Sequence, residues 1–218
     1  MTASLSNTDI AERLRTPLAR DLGTTGAIES LRRLSGGANM ESWSFDCDGQ
    51  GFVLRRAPSE AFMQGRSYPH EVEARLIRAA RAAGVRAPEV VAELQPGDGL
   101  GTGFVMRRVE AEVNPATILA APAPNLLADL ARELAHIHRV PLDAVAGVPR
   151  SGAAEILAEL QQSFEAYGAD RPILALALHW LHKHLPKAAE PTLVHGDFRM
   201  GNVMADDQGL AAVLDWEL

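Results

Sequence analysis

The sequence predicts an α+β chain in two lobes, and three observations carry that prediction. Through residue 110 the apolar pattern is mostly that of strands, in five segments separated by glycine-rich turns. One amphipathic segment, "HEVEARLIRAARAAG", interrupts them after the third, as an inserted helix would. Beyond residue 112 the period becomes helical, in "NLLADLARELAHIH" and "ALALHWLHKHL". The boundary therefore falls near residues 110–115. Residues 1–110 form a smaller lobe with an antiparallel sheet of about five strands plus a helix, and residues 111–218 a mainly helical lobe.

The elements follow in order. Ile10, Leu14 and Leu18 recur every fourth residue, so "DIAERLRTPLARDL" reads as a first helix that Pro17 should kink or shorten. "IESLRRL" and "MESWSFDCD" read as strands, with Trp43, Phe45 and Cys47 alternating onto one face. "DGQG" turns the second strand into "FVLRR". Pro69 suits a first helical turn and Gly84 a stop; between them Glu73, Leu76, Ile77 and Ala80 share one face, so a carboxylate borders an apolar stripe. "EVVAEL" and "GFVMRRV" are two more strands, joined by "QPGDGLGTG". After the helices come "PTLVHG", "NVMAD" and "AAVLD" as short strands, the last two turned by "DQG".

Composition narrows the class of function. With 218 residues and 47% hydrophobic content the chain can bury a real core. A net charge of -7 without a lysine-rich run gives no nucleic-acid footprint, so a polyanionic ligand must meet local basic groups, backbone amides or a bridging cation. "MTASLSNTDI" has neither the basic start nor the apolar run of a signal peptide, and no stretch is long enough to span a bilayer; a soluble, cytoplasmic protein is expected. The single cysteine, Cys47, excludes an internal disulfide framework and fits a reducing compartment.

The chemistry concentrates in "HGDFRMGN", where Asp197 precedes Asn202 by five positions, and in "LDWE", where Asp215 ends the next strand pair. This set suits phosphoryl transfer. One carboxylate orients and deprotonates an attacking hydroxyl, while an amide oxygen and a second carboxylate hold magnesium on phosphates. In these residues the chain resembles the aminoglycoside phosphotransferase and choline-kinase-like family of the protein-kinase-like fold, with its pattern H-x-D-x-x-x-x-N followed by D-x-D/E. The resemblance implies Asp197 as catalytic base, Asn202 and Asp215 as magnesium ligands, Glu217 as a further acid near the metal, and His195 as a loop-ordering residue. It also implies that Arg199 steadies the transferring phosphate.

Upstream, "SGGANMESW" looks like the family's phosphate-covering hairpin, which implies backbone contacts from Ser35, Gly36, Gly37 and Asn39. Arg55 stands where these kinases usually place a lysine, with Glu73 as its partner; Val53 would line the adenine, and Arg107 and Val109 would meet its edge from a hinge at about residues 106–111. The arginine keeps the charge, but its planar fork is no point charge, and a changed phosphate geometry is expected. ATP and Mg2+ are the implied cofactors, and a small-molecule hydroxyl the acceptor. "SGGAN", "VLRR" and "LDWEL" are particularly similar to kinase-like domains found beside acyl-CoA dehydrogenases, which brings hydroxyacyl-CoA among the acceptors. Against the family's length the helical lobe is expected to be incomplete after Asp215, leaving apolar surface open to homodimer formation.

Blander readings stand beside these. Glu73 alone would read as a solvated helix-border carboxylate, and an isolated "HGD" as a turn. "GDGLGTG" at residues 97–103 imitates a dinucleotide loop but opens no helix, so it is read as a hairpin turn. His179, His182 and His184 lack an acidic or thiol companion and read as a polar helix face; His136 and His138 read as packing or surface residues, and Cys47 as a strand residue. Two alternatives to a kinase remain at this point: a non-catalytic nucleotide-binding module, and a metal-dependent hydrolase ligating metal through His195, Asp197 and Asp215.

Overall fold

The structure is a computed structural model and describes residues 5–34, 40–187 and 190–216, the side chain of Glu60 excepted. Helix α1, Asn7–Leu22, opens on a reciprocal cap: the Ser6 hydroxyl accepts the Asp9 N–H while the Asp9 carboxylate accepts the Ser6 N–H. Pro17 does not shorten it. Ile10, Leu14 and Leu18 are fully buried against the sheet. At roughly 1.5–3 kcal/mol each they outweigh the cost of about 3 kcal/mol for an interior proline.

The sheet runs in the order β1-β2-β3-β5-β4 and is antiparallel throughout, from β1 (Glu29–Arg33), β2 (Glu41–Cys47), β3 (Gln50–Ala57), β4 (Val90–Glu93) and β5 (Thr102–Arg107). Asp48 and Gly49, with φ of 50° and 72°, make the tight β2–β3 turn, where two left-handed residues match the twist of the strands. One face carries Trp43, Phe45, Cys47, Phe52, Leu54 and Val105 and packs on α1. The other presents Arg55, which opposes Phe104 across β3 and β5, and is covered by α2, His70–Ala82, through Leu76, Ile77 and Ala80.

Beyond β5 come α3 (Pro115–Ala120), α4 (Leu126–Ile137) and a hairpin of β6 (Val203–Asp206) and β7 (Gly209–Val213). Backbone pairing ties the hairpin to the earlier chain. Glu112 bridges Ala205, and the Val213 N–H donates to the Arg86 carbonyl at 2.8 Å. "PTLVHG" forms no strand: Leu193 and His195 are buried on either side of exposed Val194, but no strand among the described residues supplies a ladder. Side-chain alternation persists there without the pairing that defines a sheet.

Residues up to Val148 together with those from Thr192 onward form one compact unit, which contains every element named so far. Residues 149–191 form a second, in which α5 (Ala153–Ala166) and α6 (Pro172–Lys183) pack on each other. No helix among the described residues is long and apolar enough to cross a membrane.

Candidate active site

Two short segments of the first unit meet around Asp197. Gly196, at φ 85°, takes a backbone conformation that disfavours other residues and delivers Asp197 into the loop before β6. The Asn202 side-chain nitrogen donates to both the backbone carbonyl of Asp197, at 3.0 Å, and its Oδ2, at 2.8 Å. Arg199 donates from Nε to the same Oδ2 at 2.7 Å. Both side-chain bonds thus fall on one carboxylate oxygen, and Oδ1 is left turned away from them. The Arg199 guanidinium, then the Asn202 amide, hold the Asp197 carboxyl below its ordinary range. The group is a carboxylate at neutral pH.

Asp215 follows β7 and is joined to this loop through the backbone, since the Leu214 N–H donates to the Asn202 carbonyl at 2.8 Å. Its φ of 64° is left-handed, a strained setting that aspartate tolerates better than most residues. His195 fixes the same junction from the other side. One ring nitrogen, Nε2, lies 2.9 Å from the Leu214 carbonyl and so carries the proton, and the ring packs 4.8 Å from Trp216 and 5.9 Å from Phe198. Burial pushes this imidazole below its ordinary pKa, against the opposing pull of the Leu214 carbonyl and the charges of Asp215 and Asp197. It is a neutral ring tying the segment before Asp197 to the residue that follows β7.

The sheet contributes a chain of alternating charge. Arg55 reaches Glu73 through Nε at 3.1 Å and Asp215 through Nη2 at 3.1 Å. Glu73 is almost wholly buried and also receives Arg66 Nη2 at 2.6 Å. The apolar stripe of α2 therefore carries a carboxylate because two arginines meet it there. Val53 lies on the Arg55 face of β3, half-buried and opposite Met106. Arg107 ends β5 with its N–H donated to the Glu89 carbonyl and its guanidinium over the Phe52 ring, and Val109 follows in the connecting segment. Ser35, Gly36, Gly37, Asn39 and Glu217 lie outside the described residues.

Sequence reasoning missed the residues that brace these groups. Arg66 and Tyr68, whose hydroxyl donates to the Trp216 carbonyl, sit in an irregular loop that no periodicity marks. On α4 the buried face is Leu126, Asp129, Glu133 and Ile137, while Leu127 is 80% exposed. Glu133 accepts the Arg86 N–H and the Arg86 guanidinium, both at 2.8 Å, and Asp129 accepts the Leu210 N–H of β7. The spacing of Asp129 and Glu133 with Leu126 and Ile137 was the available signal.

The donor set suits a cation held with few protein ligands. Asn202 spends its amide nitrogen on Asp197, which leaves its oxygen for a metal, and Asp215 is a carboxylate a third exposed. Among the described residues no cluster of three or more His, Cys, Asp or Glu could hold a metal ion alone. An amide oxygen with one carboxylate fits magnesium, which takes few protein ligands and completes its shell with water and phosphate.

Comparison with known proteins shows the family of the chain. The family described as "Phosphotransferase enzyme family" matches residues 30–218. Acyl-CoA dehydrogenase family member 10 of Mus musculus is 31% identical over 219 aligned residues, covering 90% of this chain and 20% of that protein. Acyl-CoA dehydrogenase family member 11 of Gallus gallus is 29% identical over 206, covering 88% and 26%. The chain thus spans between a fifth and about a quarter of the length of these curated relatives. Among solved structures, aminoglycoside phosphotransferase APH(4)-Ia superposes with a TM-score of 0.72 at 21% identity, over 97% of this chain and 71% of that one. A thermostable mutant of it, in ternary complex with AMP-PNP and hygromycin B, gives 0.69 at 22%, over 94% and 71%. The architecture described above is the kinase-like fold of these phosphotransferases.

Proposed function

Because the chain belongs to the phosphotransferase enzyme family, we propose that it transfers the γ-phosphoryl group of ATP, with magnesium, to a hydroxyl of a small molecule. The observation that carries this reading is the division of labour on Asp197. Arg199 and Asn202 occupy Oδ2, so that Oδ1 is free to orient the acceptor hydroxyl and take its proton. Held ionised at neutral pH, the carboxylate acts mainly by position, as a loose phosphoryl transition state requires.

Magnesium, when bound, neutralises charge on the phosphates, and Asn202 and Asp215 are the residues that would hold it. Arg55 steadies the phosphates from the sheet, and Glu73 fixes that guanidinium. His195 keeps Asp197 and Asp215 in register through Leu214. Arg199, 62% exposed, is able to leave Asp197 for the transferring phosphate. In this reading the nucleotide is held on the first lobe, residues 1–110, with Val53 against the adenine and Arg107 and Val109 at the hinge of residues 106–111. The reaction is placed in the cytoplasm, in keeping with one buried, unbridged cysteine.

The relatives suggest two acceptor classes to try first. One is aminoglycosides, after the structural neighbour bound to hygromycin B; the other is hydroxyacyl thioesters, after the acyl-CoA dehydrogenase family members. The test is calorimetric titration with ATP and magnesium, followed by phosphate transfer to panels of both. Asp215→Ala should abolish magnesium-dependent binding, whereas Asp197→Ala should bind nucleotide and lose transfer. Undiminished transfer by Asp197→Ala refutes the assignment, and binding without turnover in the unsubstituted chain would favour the non-catalytic module instead.

A further inference from the structure

We infer that Arg66 is a positioning residue of the nucleotide site, holding Glu73 so that Arg55 stays turned toward Asp215; the inference rests on the phosphotransfer reading. Glu73 offers two oxygens to two guanidinium groups: Oε1 to Arg55 Nε at 3.1 Å, and Oε2 to Arg66 Nη2 at 2.6 Å. All three side chains are withdrawn from water, at 14%, 1% and 6% exposure for Arg55, Glu73 and Arg66. In such surroundings a carboxylate takes an arginine fork with both oxygens if both are available. Arg66 denies the second oxygen to Arg55. The Arg55 guanidinium lies between two carboxylates, ion-paired through Nε with Glu73 and hydrogen-bonded through Nη2 to Asp215.

The chain around Arg66 supports the assignment independently. Two residues on, Tyr68 is buried and donates its hydroxyl to the Trp216 carbonyl, next to Asp215. One irregular loop thus touches both carboxylate-bearing elements, α2 through Arg66 and the end of β7 through Tyr68. The resulting order is cation, anion, cation, anion: Arg66, Glu73, Arg55, Asp215. Without Arg66, Oε2 of Glu73 loses that cation and is able to turn toward Arg55, drawing it off Asp215 and away from the phosphates. An arginine at position 55, with a wider fork than lysine, makes such a second clamp necessary.

The test combines nucleotide kinetics with stability. Arg66→Gln should weaken binding of ATP with magnesium by about tenfold, the scale of one charge-assisted hydrogen bond, raising KM for ATP with little change in kcat. Arg66→Lys, which restores the charge, should recover most of that loss, as a general packing defect would not. A double-substitution cycle of Arg66→Gln with Arg55→Met, read as urea midpoints, should be non-additive because both act through Glu73. Nucleotide parameters unchanged in Arg66→Gln, or additive midpoints, overturn the proposal. Should the unsubstituted chain bind no nucleotide, the phosphotransfer reading fails by itself; the cycle then decides the role of Arg66, additivity against it and coupling for it.

Discussion

Glu133→Ala should destabilise the protein by about 2.5–4.5 kcal/mol and weaken nucleotide binding, although Glu133 would touch no ligand. Its carboxylate is 1% exposed and accepts the Arg86 N–H and guanidinium, both at 2.8 Å. Loss of a charged acceptor for the backbone N–H is worth about 1.5–3 kcal/mol. The guanidinium is 40% exposed and can return to water, so its share is discounted to under about 1 kcal/mol. The buried methylene adds about 0.8 kcal/mol. Glu133→Gln keeps the methylene and one acceptor oxygen for the Arg86 N–H, so it should cost only about 1–2 kcal/mol. The functional consequence follows from the backbone, because the Arg86 carbonyl accepts the Val213 N–H two residues before Asp215. Urea unfolding followed by circular dichroism, at unchanged m, reads the stability, and titration with ATP and magnesium reads the site. Equal losses for alanine and glutamine, or less than about 1 kcal/mol for alanine, would show that this carboxylate does not hold the strand.

Three further outcomes are expected. His195 has a folded-state pKa below its unfolded value near 6.5, so its neutral form contributes stability that is complete above that value and is lost as pH falls through the folded pKa; urea midpoints at pH 7.5 and 5.5 should therefore diverge more in the parent than in His195→Gln, and parallel changes would refute the assignment. Gly103, at φ 152°, has room for no side chain, since a Cβ would lie 2.1 Å from the Arg55 carbonyl oxygen; Gly103→Ala should cost more than about 2 kcal/mol in a urea melt by forcing β5 from β3. Arg55→Lys should weaken binding of ATP with magnesium by about twofold to fivefold, because a single ammonium cannot hold Glu73 and Asp215 together and is turned less firmly toward the phosphates; unchanged or tighter binding would count against that role.

The parts of the site that were legible in the sequence are those that chemistry confines to a short stretch. Asp197, Asn202 and Asp215 fall in one loop and one strand end, where glycines and short apolar runs reveal the backbone course. The Arg55 to Glu73 pair was legible only through the family resemblance, since Glu73 beside an apolar stripe reads by itself as a solvated helix-border carboxylate. A helix shortened at Pro17 and a strand at "PTLVHG" failed for a common reason: a local rule was overruled by tertiary context. Burial of three aliphatic residues carries α1 through its proline, and "PTLVHG" alternates without a neighbour to pair with.

The same logic accounts for Asp129, Glu133 and Arg66. A buried, satisfied carboxylate and a solvated one are written with the same letter, and only the partner distinguishes them. The partners that meet them from other elements are distant in sequence or lie in irregular chain: Leu210 for Asp129, Arg86 for Glu133, and the loop before α2 for Glu73. On α4 the ambiguity has a physical reading, since the helix turns Asp129 and Glu133 inward and leaves Leu127 outside. A helix that buries charge in preference to leucine is committed to the N–H groups those charges meet, at Arg86 and Leu210. Arg86 passes the constraint to Val213, and Leu210 lies on the same strand, so two carboxylates of α4 fix the course of β7 and hence the place where Asp215 emerges. The metal-binding end proposed for the site is positioned by side chains that never approach it, and their replacement should be read in nucleotide affinity as well as in stability.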